Sequence, residues 1–95
     1  MKLEVSDEAA SDLREIYAYS REVWGVSRAR TYVLDIKTHF RRLAQSVASG
    51  TKADDIAIGL RRLVSGSHVI WFRVEGDTLR VVRVLHTSRD AGRWV

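Results

Sequence analysis

The opening residues place charges at Lys2 and Glu4 and apolar side chains at Leu3 and Val5. That two-residue period predicts a short strand with one buried face. Ser6 or Asp7 then offers a side-chain oxygen to free backbone N–H groups, and Glu8 suits the positive end of a helix dipole. Ala9, Leu13, Ile16, Tyr17, Ser20 and Trp24 recur at helical spacing until Gly25 stops the run. Ser27 is the expected cap of a second helix, which sets Ala29, Tyr32, Val33, Ile36, Phe40, Leu43, Ala44 and Val47 on one face and ends at Gly50. Arg28, Arg30, Asp35, Lys37, Arg41, Arg42 and Gln45 fill the opposite face, the pattern of a helix lying on a core. Only Gly25, Val26 and Ser27 separate the two, so they must fold back as an antiparallel hairpin.

Residues 50–57 read as the one long loop. Beyond it the period changes, and three strand-like runs follow: Gly59 to Val64, His68 to Val74, and Thr78 to His86. Ser65-Gly66-Ser67 and Glu75-Gly76-Asp77 are hairpin turns in which glycine supplies positive φ. The last two runs are apolar on both faces at their centres, which marks central strands covered on both sides. A tail from Ser88 to Val95 has room for one or two helical turns. The expected architecture is therefore α+β in the order β-α-α-β-β-β, a helical hairpin packed on a mostly antiparallel sheet of about four strands. Ile16, Tyr17, Val33, Ile36, Phe40, Leu43, Ile70, Phe72, Val82 and Val84 are its expected core.

At 95 residues, 45% of them hydrophobic, the chain suits one domain with one core over residues 1–95. No apolar run approaches about 18 residues, so no membrane helix is expected. The first residues turn acidic and lack the apolar stretch of a signal peptide. With no cysteine there are no disulfides or thiolate ligands, and a cytoplasmic home is the simplest expectation.

The net charge of +4 is unevenly placed. Residues 1–55 carry nine basic and nine acidic side chains, whereas residues 56–95 carry seven arginines against Glu75, Asp77 and Asp90. An excess confined to the C-terminal part suits an anionic partner, nucleic acid or acidic protein. Arginine outnumbers lysine 13 to 3, which a GC-rich coding sequence would also produce.

Catalytic motifs are sparse. His39, His68 and His86 lie in no metal-ligand spacing, and no phosphate-binding glycine loop or serine nucleophile motif occurs, so neither metal nor cofactor is expected. His39 borders the apolar stripe of the second helix and reads as a half-buried structural side chain. Asp54 and Asp55 are adjacent loop acids with the look of solvated residues. The segment Arg83 to Trp94 is the most suggestive. Its arginines and terminal tryptophan suit phosphates, bases or an acidic protein surface. Asp90 is equally suited to pairing with Arg89 or capping the last turn, and Trp94 to tucking against the sheet. Arg61 and Arg62 are neighbours on a strand and point to opposite faces, so at most one of them looks into a given cleft. Arg73, Arg80 and Arg83 interrupt apolar strands, where a charge needs an edge, a partner or a groove.

Taken together, three collinear segments resemble the RelE/ParE toxin superfamily, on its ParE branch. They are Ala10 to Tyr19 ending in Trp24-Gly25, Gly59-Leu60-Arg61 with Gly66 to Arg73, and Arg83-Val84-Leu85-His86 with Asp90. The resemblance implies a type II toxin held in a hetero-oligomer by a ParD-like antitoxin from the same operon, which lays an extended or helical segment over it. It implies DNA gyrase as the target, inhibited by binding, so that no catalytic residue is needed and nucleic acid is met only through the antitoxin or the gyrase–DNA complex. The expected target-binding residues are Arg61, Arg83, His86, Arg89, Asp90, Arg93 and Trp94. The alternative within the superfamily is a ribosome-dependent mRNA endonuclease, with His86 and Arg89 as acid and cation. Against it, His68 stands where nucleases carry arginine, the tail has no tyrosine, and only Lys52 among the lysines is placed to reach a cleft. A third alternative is an inactive relative that only binds an antitoxin.

Overall fold

The alternation at the N-terminus becomes strand β1 (Lys2–Val5), and Ser6 starts helix α1 (Asp7–Trp24) in a computed structural model that describes all 95 residues. Ser6 Oγ accepts the Ala9 N–H at 3.0 Å, the N-cap geometry its residue type favours. Helix α2 (Val26–Gln45) begins directly after Gly25, whose φ of 90° turns the chain and whose carbonyl accepts the Ala29 N–H. Gly25, not Ser27, therefore occupies the N-cap. The helix also ends earlier than its apolar stripe. Ser46 is extended, Val47–Ser49 form a 3₁₀ turn that keeps Val47 on the core, and Gly50 lies flush against Phe72. A Cβ at Gly50 would stand 2.6 Å from Phe72 Cζ, so the bare backbone is what fits there.

Strands β2 (Thr51–Lys52), β3 (Arg61–Ser65), β4 (His68–Glu75) and β5 (Thr78–His86) complete a five-stranded sheet in the order β1-β5-β4-β3-β2. A short helix α3 (Ala91–Trp94) follows. The fifth strand is β2, inside the segment expected to be loop; two residues are too few to show a period. It pairs with Arg61 and Arg62, which start β3 two residues later than Gly59. Gly59 itself belongs to a turn at φ 82°, closed by its N–H to Asp54 Oδ1 at 2.8 Å. Asp54 is thus a turn acceptor rather than a free acid. All pairings are antiparallel except β1 with β5, the first strand with the last, which run parallel.

Between β4 and β5 the register slips. Trp71 pairs with Arg83 and Phe72 with Val81, so Val82 is an extra residue in a bulge. The slip reverses the facing of β5. Leu79, Val81 and Val84 enter the main core with Ile16, Ile36, Phe40, Leu43, Ile70 and Phe72, while Val82 packs with Val69, Trp71 and Leu85 on the opposite face. Val82 is consequently half-buried in a second cluster, not in the core beneath the helices. Ala53, Leu60 and Ala91 cover that second cluster, which is how both faces of β4 and β5 come to be apolar. Tyr17 and Val33 are half-buried at the margin of the main core. No helix is long and apolar enough to cross a membrane.

Phe40 is 2% exposed at the centre of the hairpin face. Phe40→Ala is expected to lower the unfolding free energy by about 3–5 kcal/mol in a urea titration; a negligible change would mean that α2 presents another face to the sheet.

Candidate functional site

Strand β1 accompanies β5 only as far as Val81, and beyond that point the edge of β5 faces the start of α1. Ser6 takes over there, donating its N–H to the Val81 carbonyl at 3.0 Å and its hydroxyl to the Val82 carbonyl at 2.8 Å. One and a half turns on, Asp12 reaches the same edge. Its Oδ2 accepts the Val84 N–H at 2.9 Å and Arg83 Nε at 2.8 Å, and its Oδ1 accepts Arg83 Nη2 at 2.8 Å. This is the bidentate fork of guanidinium on carboxylate. Asp12 is 7% exposed, and the hydrogen bond to it is the first cause holding the Arg83 guanidinium above its ordinary value, against burial. The third nitrogen of Arg83, Nη1, donates to the Trp94 carbonyl at 3.1 Å and so ties the tail to the sheet.

Around this pair opens a cleft of about 790 Å³ between α1, the end of β5 and the tail. Glu8, Ser11, Glu15 and Tyr19 line one wall; His68, His86, Ser88, Arg89 and Trp94 line the other. Arg89 lies over the Trp94 ring at 4.7 Å, with Arg83 at 5.7 Å from the same ring. Trp94 remains 45% exposed, a stacked arginine–indole plate at the mouth of the cleft.

A row of three rings runs from α2 into the cleft. Tyr32 Oη lies 2.6 Å from His68 Nδ1 and accepts the Ser67 N–H at 3.0 Å. A phenol that donates to Nδ1 suits the neutral ring with its proton on Nε2. His68 and His86 face each other across β4 and β5, with ring centroids 5.4 Å apart. His86 Nδ1 accepts the Ser88 N–H at 3.1 Å and lies 2.8 Å from Ser88 Oγ.

A second depression, of about 780 Å³, lies on the other side of α1. Leu3, Val5, Leu13, Tyr17, Val33 and Phe40 form its floor, and its charged lining residues, Arg14, Lys37 and Arg41, are all basic. Helix α1 thus serves two sites, with Ala10, Leu13, Arg14 and Tyr17 in the groove and Glu8, Asp12, Glu15 and Tyr19 in the cleft.

A family model described as the ParE toxin of the type II toxin–antitoxin system parDE matches residues 3–91. The chain belongs to that family. The toxin is 36% identical over 87 residues to Toxin ParE1 of Caulobacter vibrioides, an alignment covering 92% of this chain and 90% of that protein. It is 37% identical over 90 residues to Toxin ParE1 of Mycobacterium tuberculosis, covering 94% and 92%. Among solved structures, a chain of the chromosomal ParDE system from P. aeruginosa superposes with a TM-score of 0.81 at 27% identity, over 90% of this chain and 95% of that one.

Of the residues expected to face a target, the fold of the toxin brings Arg83, His86, Arg89 and Trp94 together around the cleft. Asp90 and Arg93 lie beside them on the tail. Asp90 is the cap of α3, accepting the Gly92 N–H at 3.0 Å, rather than a partner of Arg89, and Arg93 is exposed. Arg61 is elsewhere. Its Nη2 reaches the Val47 and Gly50 carbonyls, each at 3.4 Å, on the far side of the sheet order, because β3 and β5 are separated by β4. Arg62 lies over Trp71, and Arg73 donates to the Ile58 carbonyl at 2.6 Å. His39 is the half-buried structural histidine expected, its Nδ1 at 2.8 Å from Ser65 Oγ. Sequence reasoning missed Asp12 and Tyr32 as site residues. The signal for Asp12 was present, an acid on the buried stripe of α1 between Ala9 and Ile16; Tyr32 looked like any aromatic of a core stripe.

Burial is the first cause holding the His68 ring below the ordinary histidine value of about 6.5, with His86 adding to it and Asp12 opposing. A folded-state value below the unfolded one means that neutral His68 contributes stability fully present above about pH 6.5 and lost as the pH falls through the folded value. Urea midpoints measured across this range should therefore fall with acidification, and less steeply in His68→Gln; equal slopes would remove His68 as the responsible group.

Proposed function

We propose that the toxin inhibits DNA gyrase by binding it through the surface formed by Arg83, His86, Arg89, Asp90, Arg93 and Trp94, and that a ParD-like antitoxin neutralises it. The observation that carries the target surface is the exposed Trp94 plate with Arg89 stacked on it. Tryptophan and arginine are the side chains most often found to dominate binding energy at protein interfaces. Family membership supports gyrase as the target, and Arg61, remote from this surface, drops out of it. Purified toxin should block gyrase supercoiling and accumulate cleaved DNA. Arg89→Ala combined with Trp94→Ala, or truncation at Thr87, should raise the concentration needed by at least about tenfold, the loss of one interface hot spot. Inhibition left intact by the truncation would remove the tail from the target surface.

The mRNA endonuclease is the second reading, favoured by one observation: His68 and His86 stand side by side in a cleft that also holds Arg89. The weight against it comes from the same place. His68 Nδ1 is occupied by Tyr32, and the Arg83 fork is committed to Asp12, which leaves Arg89 as the cation free to meet a phosphate. Ribosome-dependent cleavage by the purified toxin, with no effect on gyrase, would reverse the order of the two readings.

The antitoxin is assigned to the groove on the other side of α1. Its apolar floor and all-basic charged lining suit an amphipathic segment with apolar anchors flanked by acids. Exchanging Arg14, Lys37 and Arg41 together for glutamate should weaken binding of the antitoxin from the same operon by roughly tenfold, at about 0.2–1 kcal/mol for each exposed contact. It should also reverse the weakening by salt expected of the wild-type pair. Unchanged affinity would place the antitoxin elsewhere.

A further inference from the structure

Residues 88–95 are held to the rest of the molecule by very little. Their backbone bonds are local: the Arg89 N–H goes to His86, the Arg93 N–H to Asp90 and the Val95 N–H to Ala91. The side chains of Ser88 and Asp90 likewise bond within two residues. Ala91 packs into the second cluster at 6% exposed. The one hydrogen bond from this segment to anything before His86 runs from Arg83 Nη1 to the Trp94 carbonyl. Its direction is set from outside the tail. Asp12 holds Nε and Nη2 of Arg83 at 2.8 Å each, which fixes the guanidinium plane and aims the remaining nitrogen at Trp94. Asp12 is held in turn by the Val84 N–H and by its place on a helix capped at Ser6, so neither partner of the fork is free to swing.

We propose that Asp12 is a positioning residue for the target surface: through Arg83 it sets where Trp94 and Arg89 stand. The functional half of the proposal rests on the reading of the tail as target-facing; the positional half rests on the geometry alone. It gives the aspartate of the helix-one motif a role that its sequence context does not reveal, since Asp12 lies 71 residues before Arg83 and makes no hydrogen bond to the tail itself. It also accounts for an arginine inside an otherwise apolar strand, where a lysine, a single point charge without the fork, serves one contact and not three.

The test combines backbone order with inhibition. In ¹⁵N relaxation measurements on the whole protein, wild-type residues 88–95 should be as ordered as β5. In Asp12→Asn they should become mobile on the nanosecond scale, while the amides of β4 stay as ordered as in wild type at a temperature below the lowered midpoint expected on loss of the buried pair. Gyrase inhibition should weaken by about tenfold, as for a displaced interface aromatic, with antitoxin affinity unchanged. Arg83→Lys keeps the charge facing Asp12 but loses the contact to Trp94, so it should release the tail in the same way; it carries the test if Asp12→Asn does not fold. A tail that stays ordered in Arg83→Lys overturns the proposal, as does a released tail with full inhibition. Should the wild type leave gyrase untouched, the target reading fails by itself, and the order of residues 88–95 in the two variants decides whether Asp12 positions them.

Discussion

Strand β5 is the structural axis of the toxin, and its edge is completed by two side chains instead of a strand. Along its first four residues it pairs with β1; beyond Val81 that partner is gone. An unpaired edge in a half-buried position leaves backbone donors and acceptors without water or protein to satisfy them. Ser6 and Asp12, both on the buried side of the first turns of α1, take the place of the missing strand by bonding Val81, Val82 and Val84. Because the Asp12 carboxylate is charged, it needs a cation as well as an N–H, and Arg83 from the same edge supplies it. Removing one partner of such a pair costs about 3–5 kcal/mol, because the other is left buried and uncompensated. The end of β5 and the tail are thereby tied to α1 through this one carboxylate.

The bulge at Val82 has a comparable reach. One extra residue moves Val84 onto the helix face, where strict alternation from Leu79 and Val81 would have put Arg83. A strand without the bulge would keep strict alternation and carry Val84 away from Phe40 and Ile36.

Most of the architecture was legible because it rests on long periods. The stripe of α2, the two glycine turns and the doubly apolar runs of β4 and β5 each repeat often enough to be read, and the order of elements follows from them. The features that escaped are single-residue events. A two-residue strand has no period, a bulge cancels the period on which a facing assignment depends, and Gly25 served as a cap where Ser27 was the better candidate by residue type. The candidate site was legible as a segment, Arg83 to Trp94, in that the structure gathers Arg83, His86, Arg89 and Trp94 around one cleft. Its internal organisation was not, because Asp12 and Tyr32 come from elements far away in the chain. Arg61, an arginine in a familiar motif, is carried by the strand order to the side of β4 away from the cleft.

The parallel pairing of β1 with β5 has a further consequence, for the toxin's synthesis. The first strand finds its neighbour only when residues 78–81 have been made, and Asp12 finds its cation later still. Translation at roughly 5–20 residues per second, with domains folding as units, therefore leaves the helical hairpin without its sheet until residues 78–86 have been made. Contacts of such long sequence separation form late, after the loop between them has closed. The cleft around the Asp12–Arg83 pair is thus organised only after residues 83–94 have been made, later than the helical hairpin that forms its other wall.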